Sequence, residues 1–134
     1  MPGDEAIVAT LAGEKPLDDA DAAGLLADDR TFYLVAFEGD EPVGFLFAHE
    51  LLRRRGDRSQ LFVYDVDVAE PHRRTGIGKA LLRAAEDLAR EHGMREGFVL
   101  TNQSNAAAMA LYGSVGGIRP NEDDVLWDFE YAVS

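Results

Sequence analysis

Residues 67–83 read DVAEPHRRTGIGKALLR, and the fold turns on how that stretch is read. Just upstream, Phe62, Tyr64, Val66 and Val68 share one parity, and Val63, Asp65 and Asp67 share the other, which predicts a strand over 61–68. Glu70-Pro71 breaks it. Arg73-Arg74-Thr75-Gly76-Ile77-Gly78-Lys79 follows, and then an amphipathic helix over 77–92. In that helix Ile77, Leu81, Ala84 and Leu88 recur at spacings of four, three and four, with Ala80 and Ala85 beside them. A strand, a glycine-rich turn and a helix N-terminus together make a seat for an anionic group. The first helical amides lack carbonyl partners, and the helix dipole adds partial positive charge there. Glycines let a ligand approach the main chain. From Pro71 to Ala85 the chain carries Arg73, Arg74, Lys79 and Arg83 and no acid. In a chain of net charge -12 this is a local reversal of sign, suited to a phosphate-bearing ligand.

Two common glycine loops do not fit. A Walker A loop wants glycine where Arg73 stands and serine or threonine where Ala80 stands. A dinucleotide fingerprint wants a third glycine where Leu81 stands. Taken alone, the stretch also suits a tight turn before a surface helix.

The 134 residues suit one small domain over 1–134 with a single core. Zero cysteines remove disulfides, thiolate metal sites and a cysteine nucleophile together. They are compatible with a reducing cytoplasm, where the chain is expected to work. No apolar run approaches the length of a membrane span, and residues 1–5 are no signal peptide, so no membrane partner is expected. With 25 acids against 13 Lys plus Arg, no nucleic-acid partner is expected either. The acidity suits a polycationic small molecule as well as plain solubility. Nothing has metal-ligand spacing.

Residues 5–14 suggest a short helix, and Asp18-Asp19 precede a second over 18–26. Residues 31–37 (TFYLVAF) and 42–50 (PVGFLFAHE) read as a hairpin, and the second run ends on His49-Glu50. Residues 51–59 form an arginine-rich loop. Gly93 stops the main helix, residues 96–101 form a short strand, and two strands flanking such a helix should be parallel neighbours. Residues 106–112 form a short helix. Residues 123–131 alternate, with Val125, Trp127, Phe129 and Tyr131 on one side, and predict a last strand. The class is α/β with a mixed sheet.

Arg73-x-x-Gly76-x-Gly78 resembles the acyl-CoA pyrophosphate loop of the GCN5-related N-acetyltransferases. Asn105-x-x-Ala108-x-x-Leu111-Tyr112, which starts 27 residues after Gly78, matches the second acetyl-CoA motif of that family in type and order. The resemblance covers roughly residues 31–131. A narrower likeness joins Tyr64-Asp65-Val66-x-Val68, His72-Arg73-Arg74-x-Gly76-Ile77 and Gly117-Ile118-Arg119 to the aminoglycoside 3-N-acetyltransferases that modify gentamicin. Against that group, Gly113-Ser114-Val115 replaces a charged turn, and no first strand is legible in the N-terminal portion.

The resemblance implies a mostly antiparallel sheet whose central parallel pair splays around acetyl-CoA, with a bulge near Asp67. It implies that Arg73, Arg74, Gly76, Ile77, Gly78 and Lys79 take the pyrophosphate. By the same resemblance Val66 and Val68 would pair with the pantetheine arm through their main chain, a main-chain amide near Val66 would face the oxyanion, and Asn105 would bond the arm, cap its helix or do both. Asp65 is the first candidate base, or else binds the amine without taking its proton. Glu50 and His49 stand behind it, though His49 also reads as a strand-end histidine bonded to main chain. Tyr112 resembles the family's general acid, or only packs. Glu50, Asp65, Asp67, Asp128 and Glu130 are the candidate acceptor-binding acids, and Trp127 or Tyr33 offers a ring face or packs in the core. Family members are often dimers, through the last strand or the 51–59 loop; no pattern in the chain decides it. The acceptor implied by the narrower likeness is an aminoglycoside amine, at the 3-amino group. A polyamine, a small amine, a protein lysine and a binding-only acyl-CoA domain stay open.

Overall fold

The computed structural model describes residues 24, 27–53 and 59–132. The helix expected within 5–14, most of that within 18–26 and the arginine-rich heart of the 51–59 loop lie outside the described residues. The described elements are β1 (Thr31–Glu38), β2 (Glu41–Leu52), β3 (Ser59–Val68), a 3-10 turn (Glu70–His72), α1 (Ile77–Glu91), β4 (Gly97–Val99) and α2 (Ala106–Ser114). They build a four-stranded sheet in the order β1-β2-β3-β4. The first two pairings are antiparallel, and β3 pairs with β4 in parallel across the α1 crossover, as expected.

One face of the sheet carries α1. Leu46 and Ala48 of β2, Leu61 and Val63 of β3, Leu81 and Ala85 of α1 and Met94 form the buried cluster. The buried stripe of α1 passes through Ala85, and Ala84 points to solvent, a correction to the expected face. Gly44 is what lets the helix start lie so low. A Cβ there would meet Ile77 Cγ2 at 3.2 Å and the Asp67 carbonyl at 3.1 Å. The glycine-rich loop is thereby seated over the C-terminal end of β3.

The end of α1 is locked by its own main chain. Gly93 takes φ 77, its N–H reaches the Arg90 carbonyl at 3.0 Å, and the Met94 N–H reaches the Ala89 carbonyl at 2.8 Å. That is a Schellman closure, and it drops Met94 into the core.

Two expectations change. The irregularity in β3 lies between Phe47↔Asp65 and Ala48↔Val63, so the extra residue is Tyr64 rather than a residue near Asp67. The second change is at the C-terminus. Residues 123–131 form no strand: they pair with nothing in the sheet, and Val125, Trp127, Phe129 and Tyr131 are exposed. Alternation supplies a strand's two faces but not a partner for its hydrogen bonds, and β4 offers only three paired residues. Trp127 is therefore not a core residue.

Candidate active site

The splay between β3 and β4 is visible in the register. The parallel ladder ends at Val63↔Val99, while β3 runs on to Val68. The Ala69 N–H bonds the Val43 carbonyl at 2.8 Å, toward β2. Main-chain direction alternates along a strand, so the N–H and C=O groups of Val66 and Val68 face the open edge. Local side chains engage those of Val68. Val68 N–H donates to Asp67 Oδ1 at 2.9 Å, and Arg73 Nε donates to the Val68 carbonyl at 2.9 Å.

The loop above this edge is built for an anion. Arg74 stands at φ 63 and Gly76 at φ 88. Left-handed residues in such a turn aim successive N–H groups into one concavity. A non-glycine residue in that region carries strain, which here falls on Arg74. Thr75 Oγ1 ties the turn back to the His72 carbonyl. Gly76 caps α1 without a side chain, and Ala80 N–H makes the first helical bond, to the Gly76 carbonyl at 3.0 Å. The N–H groups of Ile77, Gly78 and Lys79 therefore have no partner within the helix. Exposed Arg73, Arg74 and Lys79 surround them. Asp67 is drawn into this loop, with its Oδ1 3.5 Å from the Arg73 guanidinium, so the structure puts it beside the anion seat.

Tyr112 reaches the same end of the sheet on α2. That helix is capped by Asn105, whose Oδ1 accepts from Ala108 N–H at 3.1 Å, the capping role foreseen for it. α2 rests on the first turn of α1, where a Cβ on Gly78 would meet Leu111 Cδ2 at 3.1 Å. Gly78→Ala is expected to displace Leu111 by a few tenths of an ångström and weaken CoA binding, while alanine's higher helix propensity offsets the strain in stability. A thermal melt and a CoA titration check this; an unchanged affinity would show the fit has slack.

The half-buried Tyr112 phenol senses the Asp65 carboxylate. Burial, and then the Asp65 charge, push the Tyr112 hydroxyl above the usual phenol range. Asp65 is held above the usual carboxylate range, first by desolvation and then by the neighbouring Asp67 carboxylate, with the Val66 N–H pulling the other way. This holds even though the residue as a whole is exposed. The arrangement is chemically apt: a carboxylate with raised basicity lies within electrostatic reach of a phenol that keeps its proton at neutral pH.

Other expected site residues lie apart. Glu50 is three register steps along β2 from the residue opposite Asp65. With His49, Asp28 and Asp29 it lines an open cleft of about 490 Å³. His49 Nδ1 lies 3.3 Å from Thr31 Oγ1, a side-chain contact rather than the main-chain bond considered for it. Asp128 and Glu130 sit on the unpaired C-terminal segment, and no hydrogen bond or ion pair among the described residues joins them to β3.

Anion loop, open strand edge, carboxylate and phenol follow the order of one family, and the Acetyltransferase (GNAT) family model matches residues 6–116. The chain belongs to the GNAT family. GNAT enzymes take their acetyl group from acetyl-CoA, and the free amides and open edge above suit its pyrophosphate and its peptide-like arm. The chain is 32% identical over 117 residues to a streptothricin acetyltransferase of Streptomyces lavendulae, covering 87% of this chain and 59% of that protein. It is 32% identical over 91 residues to N-acetyltransferase 8 of Rattus norvegicus, covering 68% and 41%. It thus spans about half the length of these curated relatives. Among solved structures, an aminoglycoside acetyltransferase from an uncultured soil metagenomic sample superposes with a TM-score of 0.75 at 33% identity, covering 98% of this chain and 85% of that one.

Proposed function

We propose that this GNAT domain transfers acetyl from acetyl-CoA to an amino group of an aminoglycoside-type polycation, at the 3-amino position. The chemistry is supported by Tyr112 lying within electrostatic reach of Asp65 at the splayed end of β3, next to a helix start whose first amides suit an anion. The pyrophosphate takes the amides of Ile77, Gly78 and Lys79 with Arg73, Arg74 and Lys79 around it. The pantetheine arm pairs with Val66 and Val68 as an added strand. Asp65 removes a proton from the bound ammonium, because only the free amine is a nucleophile. The nitrogen then attacks the thioester carbonyl. Asp65 passes that first proton to solvent and then takes the second one from the attacking nitrogen; as the C–S bond breaks, Tyr112 gives its proton to the departing sulfur and recovers one from solvent, so amide, CoA thiol and one net proton are released.

The acceptor reading is supported by the streptothricin and aminoglycoside acetyltransferases to which the chain is similar, and by a surface of net charge -12 that attracts polycations. The 3-amino choice rests on the narrower likeness carried by Tyr64-Asp65-Val66, His72-Arg73-Arg74 and Gly117-Ile118-Arg119. Similarity to N-acetyltransferase 8 favours a second reading, a different amine at the same centre.

Thiol release from acetyl-CoA, followed with a colorimetric thiol reagent, tests both. The acceptors are gentamicin, kanamycin, streptothricin, spermidine and a lysine peptide. With no cysteine in the chain, the assay has no protein background. Turnover on gentamicin, with the product acetylated at the 3-amino group, is the expected result. Turnover confined to spermidine or the peptide would discard the antibiotic reading and keep the transfer chemistry.

A further inference from the structure

On the sheet face opposite α1, three residues stand in one row. Tyr33 of β1 is opposite Phe47 of β2, and Phe47 is opposite Asp65 of β3. The Tyr33 ring lies 5.4 Å from the rings of both Phe45 and Phe47, which fixes its plane against β2. The bulge at Tyr64 decides which residue closes the row. Without that extra residue, Tyr64 would stand opposite Phe47, and Asp65 would be carried away from Tyr33.

The phenol at one end of the row feels the carboxylate at the other. Burial, and then the Asp65 charge, push the Tyr33 hydroxyl up to about 12. Tyr112 feels the same carboxylate. The strand order brings Tyr33 to Asp65 from the β1 side, while Tyr112 arrives on the helix that follows β4. Asp65 therefore lies between two phenols that approach it from opposite sides of the sheet. Tyr112 stands by the open edge where the thioester arm lies. Tyr33 lies on the far side, away from that edge. Among the described residues its hydroxyl bonds no protein atom.

We propose that Tyr33 is an acceptor-binding residue: its hydroxyl oxygen accepts a hydrogen bond from the acceptor ammonium and holds that nitrogen against Asp65. An ammonium offers three donors, and one carboxylate in a fixed orientation does not satisfy all of them. The Tyr33 oxygen adds a neutral acceptor, and its proton remains free to point at Asp65. Because the phenol stays protonated wherever the amine can lose its proton, it orients the nitrogen without competing for the proton. The inference deepens the reading of Asp65 as the base of an amine acetyltransferase, and rests on it.

Tyr33→Phe tests it, because phenylalanine keeps the ring against Phe45 and Phe47 and removes only the hydroxyl. With gentamicin and with spermidine as acceptors, kcat/KM for the amine should fall roughly 10- to 100-fold, the size of one hydrogen bond to a charged group. The Kd for acetyl-CoA and the melting temperature should stay unchanged. In an Asp65→Asn background the same change should add little, because the two groups hold one nitrogen. Unchanged acceptor kinetics would overturn the proposal, as would an equal loss of acetyl-CoA affinity, or losses that simply multiply in the double variant. The two acceptors separate this failure from that of the antibiotic reading. Wild-type turnover of spermidine alone rejects the aminoglycoside, and the Tyr33 comparison is then read on spermidine.

Discussion

Asp65→Asn should lower kcat/KM for the amine by roughly 10²- to 10⁴-fold at neutral pH, the range that general-base removal covers. The fold should survive. Asparagine has the same shape and can accept the Val66 N–H bond, but it cannot hold a proton removed from nitrogen. The pH profile separates base from binder. If Asp65 is the base, wild-type kcat/KM rises with pH through a value above the ordinary carboxylate range, and that limb vanishes in the variant. If only the amine KM rises while kcat holds, Asp65 binds substrate and another group takes the proton.

The stability change should run opposite to the activity change. The folded-state pKa of Asp65 is raised, so the folded chain binds its proton more tightly than the unfolded chain does. The favourable contribution is complete below the unfolded carboxylate pKa and is lost as pH rises through the folded one. At neutral pH the ionised group therefore opposes folding. Asp65→Asn should melt at an equal or higher temperature than wild type, and a clear drop would contradict the assigned direction. A catalytic carboxylate kept at some cost to the fold is a common arrangement at active sites.

Tyr112→Phe should lower kcat by roughly 10- to 10³-fold, within the reach of general-acid catalysis, and leave acetyl-CoA affinity nearly unchanged. Burial and the nearby Asp65 charge keep the Tyr112 proton in place, so the phenol is in donor form throughout the working range. A thioester whose thiol is more acidic needs less help to leave, and with it the defect should shrink. A defect of constant size across thioesters would mean the ring positions the arm and the hydroxyl does not serve the sulfur.

What the sequence shows depends on how local each feature is. The anion loop was readable because its parts are neighbours in the chain: arginines, two glycines and a helix start. Asn105 and its helix were readable for the same reason. Tyr64 was not. On the α1 face, β3 presents Leu61 and Val63 and then Val66 and Val68, so the inward parity switches at the bulge. Both parities are apolar up to Val63, which hides the switch. The one clue is that Asp65 and Asp67 share the parity of Leu61 and Val63, and an unbroken strand could not bury the first pair of hydrophobics without the acids. The row from Tyr33 to Asp65 follows from that bulge and was equally out of reach. Residues 123–131 failed for the opposite reason, because their alternation is strong but pairing is a property of the partner. Met94 was missed although Gly93 announces the helix end, because the residue after such a glycine is the one folded back into the core.

The side chains that hold the open edge of β3 have a consequence for the protein before it meets any ligand. A bare strand edge is a template on which another chain can nucleate aggregation. Here Asp67 and Arg73 engage the outward N–H and C=O of Val68, and with Asp65 they place charge where a stray strand would have to dock. A foreign strand has no means of displacing them. A ligand that carries both a pyrophosphate to draw off Arg73 and amides to replace its bonds does have the means. The chain can therefore keep a strand edge open for its cosubstrate without leaving it sticky while it waits.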